Sequence, residues 1–396
     1  MLTLLIFLLV LSVLVVVHEF WHFITAKRAG LRVDEFGFGF PPRIVGFRKR
    51  TGSLAALGTT SWEVVWGNPK GFEVREGGTL YSINALPFGG FVRVKGESGE
   101  HAKEPDSFAS RSALTRVIIV AAGVVMNLVL AVALFAGGFM IGFPQVLDGT
   151  TSAHARIEER RIEILNVLAE SPAGNAGLQL GDRAIAGNGR AFVHAEEFKS
   201  FVTEFLGRPV ELVVERKGTR HEVTVTPEIL EETGKPGIGI AIADVGEVRY
   251  PLWLAVPKAL QFTFVLIGTI AVALADLLRD AVMGQPVAAD LTGPIGIAVL
   301  SGAAARQGIL PLLQFIAILS VNLAFLNIIP FPALDGGRIL FVLVEKLRGR
   351  PVARRVEAII HSAGFVLLIL LVLFVTYRDL GRYGGRIVEV VKSLAQ

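Results

Sequence analysis

The chain has 396 residues, of which 52% are hydrophobic and only 19% are charged, and it contains no cysteine. Soluble domains carry about 45–50% apolar and about 25% charged residues, so this composition excludes an ordinary soluble protein. Uncharged runs at 1–17, 117–145 and 311–333 are long enough to contribute to membrane-spanning helices. The lack of cysteine excludes disulfides, thiolate nucleophiles and cysteine-ligated metals.

The formal net charge of +4 suits lysine and arginine at membrane boundaries better than nucleic-acid binding. No cluster of basic residues marks a soluble face, so we expect the lipid bilayer, and no nucleic acid, among the partners. The first apolar run lacks a basic leading segment and a small-residue cleavage pattern. We therefore interpret it as a retained membrane helix and not as a signal peptide.

The hydropathy pattern predicts a polytopic α-helical membrane protein with about four transmembrane helices and an inserted α/β domain. Residues 209–227 alternate apolar and polar side chains on either side of a turn, which predicts a β-hairpin. Residues 252–278 are apolar but are interrupted by Pro257, Lys258 and Asp276, so we expect them at the membrane surface or partly re-entrant.

The predicted segments follow one another along the chain. They are the first transmembrane helix (1–26), a cytoplasmic or membrane-associated segment (27–114), the second transmembrane helix (115–143), an extracytoplasmic region (144–250), an interfacial or re-entrant segment (251–309), the third transmembrane helix (310–345), a cytoplasmic loop (346–358), the fourth transmembrane helix (359–377) and a C-terminal tail (378–396).

The first apolar helix ends in the motif HEFWH, which contains His18, Glu19 and His22. Four residues apart on a helix, the two imidazoles share one face and can bind a single Zn²⁺ ion. Glu19 points to an adjacent face, where it can reach a metal-bound water. This arrangement predicts metal-assisted hydrolysis, in which Glu19 accepts a proton from the water.

A catalytic zinc site needs a third protein ligand and an open position. Without cysteine and with few other histidines, an aspartate is the best candidate, and we predict Asp335. It follows a long apolar run in the segment NIIPFPALDGG. Pro330 and Pro332 are expected to break the helix there, and the two glycines permit close approach of the backbone. A helix broken at membrane depth is tolerated only where it lines a cavity.

The chain resembles the site-2 protease family of intramembrane zinc metalloproteases, because HExxH in a first membrane helix is combined with NxxPxPxLDGG in a late one. The order of segments is most similar to the bacterial regulator-of-sigma-E protease branch. Further segments that match are FGFGF (36–40), LPFGGFVRVKGE (86–97), AAGVVMN (121–127) and LTGPIGIA (291–298). The segment SPAGNAGLQLGD, within residues 161–227, resembles the PDZ-like domains of bacterial proteases.

The resemblance implies that His18, His22 and Asp335 are the zinc ligands, that Glu19 is the general base and that Asn327 contacts substrate. It also implies a membrane-associated β-hairpin near 80–97, which offers an edge strand to an extended substrate. The residues implied in that contact are Phe91, Val92, Arg93 and Val94. Residues 54–78 depart from the family pattern as an apparent insertion, and only one PDZ-like domain is evident.

Basic residues follow both the first helix and the predicted helix that bears Asp335, and the positive-inside rule places both flanks in the cytoplasm. The PDZ-like domain is then extracytoplasmic, and the expected location is the inner membrane of a bacterium.

The resemblance implies regulated proteolysis of single-span membrane proteins, with anti-sigma factors or signal-peptide remnants as substrates. Two alternatives stay open: a zinc transporter, and a catalytically inactive membrane scaffold with a PDZ-like module.

Overall fold

A computed structural model describes residues 2–49, 62–67, 78–97, 99–147, 154–168, 170–216, 218–230, 234–284 and 292–394. The chain divides into two compact units, one formed by Met1–Phe135 with Lys258–Gln396 and the other by Ala136–Pro257.

Helices and strands are numbered in chain order. The helices are α1 (Leu2–Arg28), α2 (Ala113–Ile141), α3 (Pro172–Asn175), α4 (Ala195–Glu204), α5 (Leu252–Met283), α6 (Pro294–Gln307), α7 (Ile309–Ile328), α8 (Asp335–Arg348) and α9 (Arg354–Leu394). The strands are β1 (Val33–Lys49), β2 (Trp62–Trp66), β3 (Leu80–Val94), β4 (Phe143–Val146), β5 (Arg156–Val167), β6 (Arg183–Gly187), β7 (Arg190–Ala191), β8 (Val210–Arg216), β9 (Thr219–Val225), β10 (Glu228–Ile229), β11 (Pro236–Gly237) and β12 (Ile240–Arg249).

Among the described residues, 5 helices are long and apolar enough to cross a membrane: α1, α2, α5, α7 and the Arg354–Gly381 part of α9. The predicted count of about four transmembrane helices is therefore not confirmed. The helix in excess of the predicted four is α5, which continues through Pro257 without a break. Because Pro257 lies near the start of this helix, its missing amide removes only one early backbone hydrogen bond.

The segment predicted as the third transmembrane helix consists of two helices, α7 and α8, which are separated by residues 329–334. Pro330 lacks an amide and disfavours a helical conformation in the residue before it, which explains why α7 ends there. A Cβ atom added to Gly336 would lie 2.2 Å from the carbonyl oxygen of Ile329. Glycine therefore lets the start of α8 pack directly on the end of α7.

The first unit contains a sheet made by β1, β2 and β3. Residues 35–38 of β1 pair with residues 90–93 of β3 on one side and with residues 80–83 of β3 on the other. The second half of β1 pairs with both β3 and β2. Residues 90–94 consequently form one edge of the sheet within the described chain, and β2 forms the other.

The predicted hairpin near 80–97 is not confirmed, because the two halves of β3 do not pair with each other. The first half of β1 lies between them. Of the apparent insertion at 54–78, Trp62 and Trp66 belong to β2, whereas residues 54–61 and 68–77 lie outside the described residues.

The second unit is built on a sheet with the strand order β4-β12-β5-β6-β8-β9, in which β7 pairs with β6. Along β8 the side chains of Val210, Leu212 and Val214 are buried and alternate with more exposed neighbours, as expected for a strand with one face on a core. Phe198 and Phe201 of α4 pack into the same core. The register of β8 with β9 confirms the predicted hairpin.

An ion pair between buried Asp182 and half-buried Arg216 fixes the loop before β6 in this unit. Arg216 donates from Nε and Nη2 to the two carboxylate oxygens of Asp182 at 2.7 and 2.6 Å, and the amide of Gln179 donates to the same carboxylate at 2.9 Å. Burial acts to raise the pKa of Asp182, but these hydrogen bonds outweigh it and hold the pKa below its ordinary value.

We expect Asp182→Asn to lower the free energy of unfolding of this unit by about 1–3 kcal/mol, because charge-assisted hydrogen bonds to a buried group are lost. A carboxylate with a lowered pKa contributes stability above pH about 4, and this contribution is lost as the pH falls through the folded-state pKa. The Asn variant lacks that pH dependence.

Hydrogen exchange of the amides of β5 and β8 in the intact chain, followed from pH 7 to pH 3, measures both effects. Glu196→Gln is the control, because Glu196 and Lys199 form an exposed pair one helical turn apart. Equal exchange in the two variants would contradict the assignment.

Candidate metal centre

The motif HEFWH lies on α1, where His18 and His22 are one turn apart and face the same way. Their Nε2 atoms are 3.1 Å apart, and the two rings meet edge to face with centroids 4.7 Å apart. His18 is buried and His22 is nearly so. The helical spacing therefore brings both imidazoles to one point, as the sequence predicts.

Asp335 reaches this point from the first residue of α8. Its Oδ2 atom lies 2.9 Å from Nε2 of His18 and 3.5 Å from Nε2 of His22. The break between α7 and α8 makes this possible, because it turns the chain so that the start of α8 faces α1. His18, His22 and Asp335 form the one group of three or more metal-ligating side chains found among the described residues.

The three ligand atoms fit a tetrahedral metal ion. Bonds of about 2.0–2.1 Å from Zn²⁺ to nitrogen and oxygen place neighbouring ligand atoms about 3.3 Å apart. The separations observed here, 2.9, 3.1 and 3.5 Å, bracket that value. Two imidazoles and one carboxylate leave a fourth position open, which is the arrangement of catalytic rather than structural zinc sites.

A cavity of about 360 Å³ adjoins the three ligands. Glu19 lines this cavity but does not belong to the ligand group. Asn327, predicted to contact substrate, lines it from the end of α7. The cavity therefore brings together a set of possible metal ligands, a separate carboxylate and an amide, and the first two are groups that metal-assisted hydrolysis can use.

The edge of the sheet forms another wall of the same cavity. Phe91, Val92 and Val94 line it, whereas the side chain of Arg93 is exposed and lies 3.6 Å from Glu35. The structure thus brings three of the four predicted contact residues to the cavity and leaves Arg93 outside it.

Two further charged residues at the cavity carry no predicted role. Glu97 and Arg338 both line it, and they form an ion pair with each other. Glu97 ends a segment that matches the family, and Arg338 directly follows the motif DGG, so position next to a motif is the signal that points to them.

The tip of the sheet lies against the middle of α1. Ser12 donates a hydrogen bond to the carbonyl oxygen of Pro87 at 2.9 Å, and a Cβ atom on Gly89 would lie 2.7 Å from Val15. Large apolar side chains of β1 and β3 near this tip are exposed, among them Phe38, Phe40, Ile83, Leu86 and Phe88. The sheet and the ligand-bearing helix therefore share one apolar environment.

Residues 6–59 and 56–371 match peptidase family M50. A putative zinc metalloprotease of Clostridium perfringens is 32% identical over 375 residues, which cover 94% of this chain and 97% of that relative. The zinc metalloprotease RasP of Geobacillus kaustophilus is 30% identical over 455 aligned positions, which cover 95% of this chain and 97% of RasP. A PDZ domain of an SdrC-like protein from Listeria innocua matches 21% of this chain and 92% of that domain, at 24% identity and a TM-score of 0.19.

The membrane-spanning-capable helices, the geometry of the three possible ligands and the relatives all indicate a membrane metallopeptidase. The chain belongs to peptidase family M50. The predicted resemblance to the site-2 proteases is thereby confirmed and, at the level of the family, so are the predicted metallopeptidase activity and zinc cofactor.

We expect Asp335→Ala to weaken zinc binding by more than about 100-fold, because loss of a direct ligand should exceed the 10–100-fold effect of removing an outer hydrogen bond. Competition against a chromophoric chelator measures the affinity in detergent. Asp34→Ala is the control, since Asp34 pairs with Arg32 away from the ligand group. Unchanged affinity in Asp335→Ala would point to another carboxylate, such as Asp148 or Asp290, both of which lie outside the described residues.

Proposed function

We propose that this protease cleaves a peptide bond within the transmembrane segment of a single-span membrane protein, using His18, His22 and Asp335 as zinc ligands. The observation that carries the proposal is the position of the ligand group on α1, a helix apolar enough to cross the bilayer. Ionisable residues in such a helix are costly and mark functional sites.

When bound, the zinc ion supplies Lewis-acid activation of water and of the scissile carbonyl. Glu19 accepts a proton from the attacking water and returns it to the leaving amine, because its carboxylate lines the cavity without belonging to the ligand group. Asn327 orients the substrate backbone by donating a hydrogen bond from its amide.

The substrate binds in extended form along the exposed edge of β3. Within the part of the chain that the structure describes, residues 90–94 pair with β1 on one side only, and Phe91, Val92 and Val94 line the cavity beside the ligands. An unpaired strand edge binds an extended segment through main-chain hydrogen bonds. A helix inside a membrane must unwind before its peptide bond becomes accessible, and an available strand edge compensates for the backbone hydrogen bonds that are then lost.

The membrane topology contains four spans, and α5 lies at the surface or is partly re-entrant. Helices α1 and α2 run antiparallel, because His22 contacts Ile119 while His18 contacts Asn127. The chain therefore leaves α2 on the side where α1 begins. Basic residues at the end of α1 make the opposite side cytoplasmic, so the PDZ-like domain is extracytoplasmic.

Contacts of α6 support this count. A Cβ atom on Gly302 would lie 2.5 Å from Thr3 of α1, and Asp379 of α9 accepts hydrogen bonds from the amides of Gly293 and Gly296. At 1.5 Å per residue, Thr3 is about 22 Å along α1 from His18. Helix α6 thus belongs to the side where α5 begins, and a spanning α5 would force the chain to cross the bilayer again before Gly293.

The substrate class follows from the family resemblance and the bilayer setting. We assign membrane-bound anti-sigma factors or signal-peptide remnants as substrates, and the inner membrane of a bacterium as the location. A zinc transporter would need further ligands along a path, but the described residues contain one group of three. An inactive scaffold would have no use for Glu19 at the cavity.

We expect Glu19→Gln to lower cleavage of a single-span model substrate by about 10²–10⁴-fold, the usual effect of removing a general base. Zinc content, measured by elemental analysis of the same detergent sample, should stay at one equivalent per chain because Glu19 is not a ligand. Glu63→Gln is the control, since Glu63 pairs with Arg48 in the sheet. Loss of zinc from Glu19→Gln, or turnover at the wild-type rate, would disprove the assigned role.

We expect Val92→Pro to reduce cleavage by about tenfold or more, because proline removes a main-chain donor from the strand edge. Zinc binding should not change. Val64→Pro makes the same substitution at the opposite edge of the sheet, in β2, and should leave cleavage near the wild-type rate. Similar activity of the two variants would argue against strand addition at β3.

A further inference from the structure

One face of α2 contacts both histidine ligands. Ile119, Gly123 and Asn127 are spaced four residues apart, which places them along a single stripe of the helix. The segment AAGVVMN, which matches the family in sequence, contains two of the three. None of them is a metal ligand, since the carbonyl of Ile119 and the amide of Asn127 lie at the Nδ1 atoms of the two rings and Gly123 has no side chain.

The imidazole of His22 is held from behind by the helix backbone. Its Nδ1 atom donates to the carbonyl oxygen of Ile119 at 2.8 Å. In a helix, the side chain four residues further on leans back over such a carbonyl. That residue is Gly123, so the oxygen is left uncovered. A metal-binding histidine commonly donates its other ring N–H to such an acceptor, which fixes the tautomer and the ring orientation.

Gly123 also makes room for the ligand atoms themselves. A Cβ atom added there would lie 2.5 Å from Nε2 of His22 and 2.7 Å from Nε2 of His18. These separations are far below contact distance, and the obstructing atoms belong to the two ligand rings. Glycine at this position is therefore a requirement of the metal site rather than of the helix.

Asn127 likewise lies at the Nδ1 side of His18, away from the ligand atom Nε2. It is fully buried, and its amide group lies 3.2 Å from Nδ1 of His18. When Nε2 faces a metal, the proton of a neutral imidazole is on Nδ1, which must then donate. Only the Oδ1 atom of the amide can accept that proton. A half-turn of the amide group exchanges its two ends and places Oδ1, buried here without a hydrogen-bond partner among the described residues, opposite Nδ1.

The backbone of Asn127 is itself anchored. Ser320 of α7 donates from Oγ to the carbonyl oxygen of Asn127 at 2.8 Å, and both residues are fully buried. Helix α7 leads directly into the break that presents Asp335. The contact that fixes Asn127 behind His18 therefore also ties α2 to the helix that delivers the third ligand.

We propose that Asn127 is a positioning residue whose side-chain oxygen accepts a hydrogen bond from Nδ1 of His18, and that the carbonyl of Ile119, exposed by Gly123, does the same for His22. The stripe fixes both imidazoles with Nε2 directed at the zinc ion. This inference rests on the zinc site of the proposed function, but it does not depend on which substrate is cleaved.

Zinc affinity of the full-length protein in detergent, measured by chelator competition, tests the role of Asn127 without reference to proteolysis. Asn127→Leu keeps the shape but has no acceptor, and it should bind zinc about 10–100-fold more weakly. Asn127→Asp offers acceptors only and should retain affinity within a few-fold of wild type. Asn322→Leu is the control, because the side-chain amide of Asn322 donates to the carbonyl of Ile318 in its own helix.

Two results would overturn the assignment: an Asn127→Leu variant with wild-type affinity, or an Asn127→Asp variant as weak as Asn127→Leu. The second would mean that the amide donates or only fills space. The Asp variant decides the question even if the Leu variant does not fold. Should the wild-type protein and Asp335→Ala bind zinc equally, the zinc site itself would be wrong, which is a different failure.

The role of Gly123 has its own matched pair of variants. Gly123→Ala should weaken zinc binding by at least tenfold, because the new methyl group meets both ligand nitrogens. Gly137→Ala adds the same methyl group to the same helix where nothing lies within 4 Å, and it should bind zinc normally. The Co²⁺-substituted proteins add a spectroscopic readout, since a displaced imidazole alters the visible absorption of the ion. Equal affinity and identical spectra for the two variants would overturn this role.

Discussion

The rest of the molecule depends on one interaction. Two imidazoles of an apolar helix meet one carboxylate from another helix at a single point. Charged or polar groups at this depth are stable only when they bind one another, a metal or the backbone. His18 and His22 come from one turn of α1, but Asp335 is more than 300 positions away. The interruption between α7 and α8, and the glycines that let α8 approach, serve to bring that carboxylate to the histidines.

Breaking a helix at membrane depth frees backbone groups that need other hydrogen-bond partners. Local contacts satisfy several of them here: the amide of Phe331 donates to the carbonyl of Ile329 at 2.7 Å, and the amide of Leu334 donates to that of Phe331 at 3.2 Å. The amide of Ala333 donates to Nδ1 of His361 on α9 at 3.0 Å. Helix α9 therefore completes the break, and His361 has a structural role that a search for metal ligands alone would miss.

Local spacing explains which parts of the site could be predicted. The pattern HEFWH places two imidazoles on one face of any helix, and the proline and glycine residues before and after Asp335 mark an interruption wherever that segment folds. The hairpin could not be predicted in the same way, because the partner of both halves of β3 is β1, more than 30 residues earlier. Gly123 and Asn127 resemble ordinary residues of an apolar helix until the histidines are placed against them. Helix α5 is ambiguous for a similar reason, since hydropathy reports apolar length but not depth.

A hydrolase in an apolar environment must also admit water, and the arrangement of cavities meets this need. Beside the cavity at the ligands lies a larger one of about 1030 Å³, and Glu97, Phe108, Ala333 and Arg338 line both. The ion pair of Glu97 with Arg338 thus stands where the two spaces adjoin. A wall made only of apolar side chains would keep the ligand cavity dry, whereas a charged pair offers water hydrogen-bond partners at this boundary. The larger cavity is lined in part by polar and charged residues, among them Glu345 of α8, Glu357 of α9 and Arg350 between these two helices, so it offers a polar route away from the ligand cavity. A metal centre among apolar helices can therefore exchange water through this polar boundary rather than through the lipid.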